Sequence, residues 1–465
     1  MFDDLILLLN KHETAECYNV FVSSDPCRPP LLFLGLILPL QIKIIAPHLK
    51  NLVAARTSHM PDKALNSRFL FALAPDCSVF TRDHKAENSD FSRVDSIIEF
   101  KEGSSDPFVD DSNSEGKGQG EGKDNPFLCK EGPNLEVLGQ LTAYATATLG
   151  AQYRTHLFMV LIAGEYARLI RWDRGGAVVT ERIPFNKEPH FLDFLTRYDI
   201  TSREDRGHDS TVSVPSEGEI ESAMRVVKEW AKAKAFLVVT MSHRRFIIPR
   251  PEVRLDIPVG RWTRSSIAFD VDKQCRVYLK DSWRIRLDDI EPEGEIYHRL
   301  HRSNVPNIPP CLLSGDVGDD THHQSRTHEV SHEYNPHHSY WKITVHRHYR
   351  IVLGAIGRPL EKFTHTQELV KAMHAALKGK ITIFLAVSLH NLTYITAHEA
   401  AYKSGVLHRD ISPGNILIVD SDELPRDDQP KSEIDGGMLI DWDLSKFVSQ
   451  DDRPSGIRQY TRTVN

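Results

Sequence analysis

The chain has 465 residues, a length that predicts two or three domains. Hydrophobic residues make up 40% and charged residues 26%, a globular balance that excludes wholesale disorder. The formal net charge of -7 excludes a global basic field for nucleic acid and leaves only a local basic groove open.

Residues 1–60 give no functional reading. Their longest apolar run, Leu31–Leu40, is broken by Pro39 and is shorter than the roughly 20 residues a spanning helix needs. Asp3 and Asp4 stand where a secretory signal carries basic residues, so neither a membrane nor a secretory role is expected. The cysteines, at 17, 27, 77, 129, 275 and 311, form no C-x-x-C pair and fit a reducing intracellular compartment, cytoplasmic or nuclear.

Residues 61–200 read as one α/β domain. Phe69–Leu73 and Ser96–Phe100 predict short buried strands, and Leu135–Leu149 predicts a helix. His156–Ala163, Ala167–Trp172 and Ala177–Ile183 predict three strands, with turns at Gly164–Glu165 and Asp173–Gly176. The Gly/Ser/charge-rich stretch between Lys101 and Pro126 reads as a solvated loop. Residues 201–239 read as a linker with mixed helical pattern, and a second domain is expected over 240–465. Within it His322, His323, His328, His332, His337, His338, His346 and His348 crowd together. Zinc is one reading, but no ligand spacing repeats, and the Asp, Ser and Asn around them favour a polar surface insert.

Chemistry enters at His408-Arg409-Asp410, with Asn415 five positions after the Asp. This is the protein-kinase catalytic-loop pattern, which sets an acid on the substrate hydroxyl and an amide on a magnesium ion a short loop away. Val406-Leu407 and Ile416–Val419 on either side predict buried strands. Downstream, Met438-Leu439-Ile440-Asp441 delivers an acid at a strand end as a D-F-G segment does, with Trp442 for the Phe and Asp443 for the Gly. Upstream, Val277-Tyr278-Leu279-Lys280 resembles the strand carrying the phosphate-pairing lysine. Glu293 on the following helix is the expected carboxylate partner, with Glu295 in reserve. Gly260 is the one glycine placed to cover a nucleotide, and the G-x-G-x-x-G triplet is absent. Gly357–Leu360 fits an inter-lobe hinge.

Together with Gly260–Arg264, Leu279–Arg284, HRDISPGNILI at His408–Ile418 and LIDWDLS at Leu439–Ser445, these segments resemble the fungal-type protein kinase family. RLIRWDRGGAVVTE at Arg168–Glu181 and Arg206-Gly207-His208-Asp209 resemble that family's N-terminal region. The resemblance implies ATP-dependent phosphoryl transfer to protein Ser or Thr hydroxyls. It implies Lys280 on the phosphates, Asp410 as base, and Asn415 and Asp441 on Mg2+, with ATP and an unidentified protein substrate as partners. Two departures stand beside it. The chain ends at Asn465, soon after Asp441, so an incomplete C-lobe is expected. Gly379–Thr396 interrupts a helix expected from Gln367 to Lys403, an insert that a retained intron would produce. A pseudokinase scaffold is therefore the first alternative.

Residues of the first domain carry a second constellation. Pro75-Asp76, Glu99-Phe100-Lys101, and Gln140 with Tyr144 on the following helix resemble, in order, the PD-(D/E)xK nuclease core. Two carboxylates suit a hard divalent metal and a lysine suits an attacking water, so a metal-dependent nuclease or nucleic-acid-binding module with a regulatory kinase domain is the second alternative. The expected fold class is α+β: a bilobal kinase-like domain preceded by an α/β restriction-endonuclease-like domain.

Overall fold

The computed structural model describes residues 7–9, 42–62, 65, 72–84, 88–110, 128–129, 132–251, 257–287, 290–330, 343–377, 397–419 and 436–448. The insert expected at 379–396, most of the strand expected at 69–73, most of the Gly/Ser-rich loop, and His332, His337 and His338 lie outside these residues. The fold is mixed α and β and divides into two compact units interleaved in sequence. The first comprises Met1–Val212, Pro251–Trp262 and Gly318–Arg347; the second comprises Ser213–Arg250, Thr263–Val317 and His348–Asn465.

In the first unit the strands are β1 (Leu7–Leu9), β2 (Leu52–Arg56), β3 (Cys77–Thr81), β4 (Ser96–Lys101), β5 (Leu157–Ala163), β6 (Tyr166–Asp173) and β7 (Gly176–Val179). They form one sheet in the order β1-β7-β6-β5-β4-β3-β2. β4 and β5 run parallel, and every other described pair is antiparallel. A parallel pair needs a crossover, and helix α1 (Pro133–Ala151) supplies it. Pro133 opens α1, where its missing N–H costs nothing. The helix is buried almost all round, including its threonines. Thr142, Thr146 and Thr148 donate their hydroxyls to the carbonyls of Leu138, Thr142 and Tyr144, so no buried hydroxyl is left unpaired there.

Buried acids fasten the rest of this unit. Asp95 accepts from Arg206 Nε at 3.0 Å and Tyr198 Oη at 2.9 Å, with His208 Nε2 at 3.3 Å. Asp106 takes Arg168 and Arg182. Asp173 accepts from Arg171, Gly175, Arg326 and Thr327, which ties residues 326–327 to the β6–β7 turn. The R-W-D-R-G-G and R-G-H-D segments are thus structural clasps. Helix α2 (His190–Ile200) adds Phe191, Leu195 and Tyr198 to the core on the far face of the sheet.

The second unit builds a sheet of β8 (Val212–Ser213), β9 (Phe236–Met241), β10 (Arg244–Pro249), β11 (Arg264–Asp270), β12 (Cys275–Ile285), β13 (Cys311–Asp316) and β14 (His346–Leu353). Its order is β13-β14-β12-β11-β10-β9-β8. Helix α3 (Glu217–Val226), opened by a Ser216/Glu219 capping box, lies in the stretch expected to be a linker. Helix α4 (Glu293–Arg302) carries acids in its first turn and bases in its last, matching the helix dipole. Helices α5 (Thr366–Leu377) and α6 (Ala397–Lys403) pack with β15 (Arg358–Pro359), β16 (Val406–Leu407), β17 (Ile416–Ile418), β18 (Gly437–Leu439) and β19 (Lys446–Phe447). One core joins α4, β14, α5, α6, β16, β17, β18 and the fully buried Trp442.

Among the described residues, the histidine-dense stretch departs from the polar surface insert its composition suggests at three positions. His323, His346 and His348 are buried, and among the described residues His348 faces Asp281 at 3.0 Å. No helix among the described residues is long and apolar enough to cross a membrane.

Candidate functional site

Alternation along β12 sends Lys280 to one face of the sheet and Asp281 to the other. On its face, Asp281 meets His348 at 3.0 Å and Arg350 at 2.6 Å, both from β14. Burial opposes the Asp281 charge, yet these two bases hold its carboxyl well below the usual range. This pairing fixes the strand that presents Lys280.

Lys280 Nζ lies 2.8 Å from Glu293 Oε2 and 2.6 Å from Asp441 Oδ1, with Asp443 Oδ2 at 3.6 Å. Burial works against the ammonium, but Glu293, Asp443 and Asp441 outweigh it and keep the Lys280 pKa above its ordinary value. Burial also raises Glu293 above the usual carboxylate range, with Asp441 and Asp443 adding to it against the pull of Lys280. The other Glu293 oxygen accepts the Trp442 N–H at 3.2 Å, so one side chain fastens both the lysine and the segment of Asp441. Glu295 is exposed.

Glycine is required beside Glu293. A Cβ at Gly294 would lie 2.0 Å from Ser314 Oγ and 2.6 Å from Tyr349 Oη, and the Gly294 N–H donates to that Tyr349 oxygen at 2.8 Å. The start of α4 is thereby seated against β13 and β14, which aims Glu293 at Lys280.

The loop between β16 and β17 is held by its own histidine and asparagine. His408 Nε2 lies 3.0 Å from the Ile440 carbonyl, and its Nδ1 accepts the Asp410 N–H at 3.3 Å. Those partners assign a neutral imidazole protonated on Nε2, and burial accordingly lowers its pKa. Asn415 Nδ2 donates to the Asp410 carbonyl at 2.8 Å, while the Asn415 carbonyl accepts the Ile440 N–H at 3.0 Å. The histidine and the asparagine therefore each tie the Asp410 loop to the strand of Asp441. Arg409 and Asp441 adopt positive φ, 73° and 65°, and Asp410 is exposed. Asp441 and Asp443 carry carboxylate oxygens and Asn415 an amide oxygen, besides the Nδ2 that donates to Asp410. Oxygen atoms of these kinds are the ligands Mg2+ takes.

Gly260 is placed differently. It belongs to the first unit, at φ 96°, and its N–H donates to the Arg174 carbonyl at 2.8 Å. Arg174 also donates to the Pro258 carbonyl at 3.0 Å and stacks over Trp262 at 4.6 Å.

In the first unit Asp76, Glu99 and Lys101 come together. Asp76 directly precedes β3, and the β3–β4 register sets it opposite Glu99. Lys101 is two residues on, hence on the same face as Glu99. Asp76 N–H donates to Glu99 Oε2 at 3.0 Å, Lys101 Nζ to Glu99 Oε1 at 2.5 Å, and Phe100 N–H to Asp76 Oδ2 at 3.1 Å. Burial, then the charge of Glu99, pushes Asp76 up to about 7, against the pull of Lys101, the Phe100 amide and Arg56. On α1, Gln140 Oε1 is buried without a hydrogen-bond partner, and Tyr144 stacks on Phe91 at 6.2 Å.

Sequence reasoning passed over Asp443, which it took as a missing glycine; the signal was a second acid two residues beyond Asp441 on one strand end. It also passed over Tyr349, which no local pattern marks.

No curated protein matches the chain. The family model described as fungal protein kinase matches residues 129–391 and 392–465. That span holds Lys280, Glu293, Asp410, Asn415 and Asp441, and it begins after Asp76, Glu99 and Lys101. The chain belongs to the fungal protein kinase family.

Proposed function

We propose that the second unit transfers the terminal phosphoryl group of ATP to a Ser or Thr hydroxyl of a protein. The carrying observation is Lys280 bridging Glu293 and Asp441, an arrangement that draws together residues 161 positions apart. Such transfer is mostly positioning and electrostatics, so the reading depends on charged groups being fixed before substrate arrives. Lys280, anchored by Glu293, is the cation for the nucleotide phosphates. Asp410 is exposed, as a base that meets a protein hydroxyl must be, and its loop is held by His408 and Asn415. Asn415 and Asp441 would hold Mg2+, which when bound supplies positive charge to the phosphate oxygens. Arg409 flanks the base on the same loop.

The test is phosphate transfer from labelled ATP to a generic protein substrate, by wild type and Asp410→Ala, with ATP binding measured on both. Transfer lost in the variant with binding kept supports the kinase. Binding without transfer in either protein supports the pseudokinase scaffold instead.

A second reading concerns the first unit, where Asp76, Glu99 and Lys101 meet at one end of the β3–β4 pair. This favours a nuclease-like module in which the two carboxylates hold a divalent metal and Lys101 positions water. Metal-dependent cutting of DNA that is lost in Glu99→Ala and kept in Asp410→Ala supports it; no cutting by wild type in Mg2+ or Mn2+ removes it.

A further inference from the structure

Helix α4 carries Glu293 in its first turn and Arg299 in its last, roughly 9 Å apart along the axis. Glu293 fastens the start of the helix to Lys280 and to the Trp442 amide. Arg299 fastens the other end. Its guanidinium carbon lies 4.3 Å from the centre of the Phe447 ring, and its Nη2 donates to the Ser404 carbonyl at 3.2 Å. Ser404 directly follows α6, so that carbonyl belongs to the negative end of a helix, where a cation is favoured. Gly405 makes room for the arrangement: it sits at φ 79°, and a Cβ there would lie 3.2 Å from Arg299 Nη2.

What Arg299 grips bears on both the Asp410 loop and the Asp441 segment. Ser404 and Gly405 lead into β16, which runs directly into His408-Arg409-Asp410. Phe447 lies on β19, which follows the Asp441 segment. β16 and β19 pair through two residues each, extended by the Val448 N–H donating to the Gly405 carbonyl at 2.9 Å. A pair so short is weak by itself. Buried Ile296, Tyr297 and Leu300 press α4 onto the core, but apolar contact is non-directional and lets a helix slide or turn. Grips at two separate points fix its orientation, where Glu293 alone would leave it free to pivot. We propose that Arg299 is a positioning residue for phosphoryl transfer: its hold on Phe447 and Ser404 keeps α4 turned so that Glu293 stays on Lys280 and Trp442. Displacing β19 therefore loosens Lys280 at a distance. This role rests on the kinase reading above. Its rival is that Arg299 only staples the β16–β19 pair.

Hydrogen exchange of the full chain, read at the Trp442 and Val448 amides, separates the two roles, with phosphate transfer from labelled ATP measured on the same preparations. The proteins are wild type, Arg299→Leu and Phe447→Leu. Phe447→Leu attacks the same contact from the other side and changes no residue of α4. Amides of β5, in the first unit, are the control for global unfolding. Expected in Arg299→Leu is exchange at Trp442 faster by about tenfold, as loss of a cation–π contact and a hydrogen bond at a partly buried site implies, with transfer at saturating ATP slowed by a similar factor. Phe447→Leu should change both in the same direction by less. Faster exchange at Val448 with Trp442 and transfer unchanged overturns the proposal, because the staple is then local, and leaves the kinase reading standing. Exchange and transfer alike in all three proteins overturns it too. No transfer by wild type removes the kinase reading, and the hold of Arg299 on α4 then stands or falls on the Trp442 amide alone.

Discussion

Lys101 in the first unit and Lys280 in the second are both lysines withdrawn from water and held by carboxylates, but the two clusters are assembled differently. Asp76, Glu99 and Lys101 come from two neighbouring strands, and the register of one antiparallel pair suffices to bring them together. Lys280, Glu293 and Asp441 come from a strand, a helix and a distant strand end, so only a completed fold can bring them together. The first cluster is also nearly closed on itself: both Glu99 oxygens are taken, one by Lys101 and one by the Asp76 backbone. The second gathers three carboxylates around one ammonium, with Asp443 the farthest at 3.6 Å. A local cluster can be a by-product of strand pairing, whereas the long-range one forms only when three separate elements are placed together.

The sharpest way to break that contrast is to remove the proposed base. Asp410→Ala is expected to lower phosphoryl transfer by about 10²–10⁴-fold. Because Asp410 is exposed, urea stability is expected to stay within about 0.5 kcal/mol. Transfer that survives this change assigns the chemistry elsewhere. Lys280→Met comes next, with an expected loss of about 10²–10³-fold in transfer and weaker ATP binding. If DNA cutting is found, it should persist in both variants, since neither residue belongs to the first unit.

Asp281→Ala tests the support behind Lys280. It leaves Arg350 and His348 buried without their acid, and removing one partner of a buried pair costs about 3–5 kcal/mol. Trp283, stacked on His348 at 4.8 Å, reports the change through the fluorescence of the urea transition. A cost under about 1 kcal/mol would mean the bases find other partners.

What the sequence could reveal follows the same division between local and long-range. Asp410, Asn415 and Asp441 were legible because fixed spacing within a loop and a strand end is a local signal. Glu293 was legible as a helix residue facing inward, and the structure pairs it with Lys280 while Glu295 stays in water. Asp76 is legible as an acid at the end of an apolar stretch, but the strand that follows it is not. The strand after it, Cys77–Thr81, is almost wholly buried and so lacks the alternation that marks a half-exposed strand. Gly260 was legible only as a glycine at a plausible distance. Nothing local says that its amide bonds Arg174, or that residues 326–327 close on Asp173. Interleaving of the two units rests on such clasps between residues some 150 positions apart, for which no periodicity exists.

The last expected effect bears on the first cluster and reads its charge directly. Asp76 is held at about 7, against roughly 3.9 for an unfolded aspartate. Between those values the folded chain holds a proton that the unfolded chain has released. Stability therefore falls as pH rises from about 4 to about 7, and the full penalty is present above that. Asp76→Asn removes the charge and keeps an oxygen for the Phe100 amide. The variant should melt above wild type at pH 8, and the gap should close by pH 4. A gap that is absent or reversed would mean that Lys101 and Arg56 already neutralise Asp76, making the cluster an ordinary ion pair. If the gap appears, Mn2+ at pH 8 should raise the melting temperature of wild type more than that of the variant, because a cation relieves a repulsion between Asp76 and Glu99 that the uncharged amide has already removed.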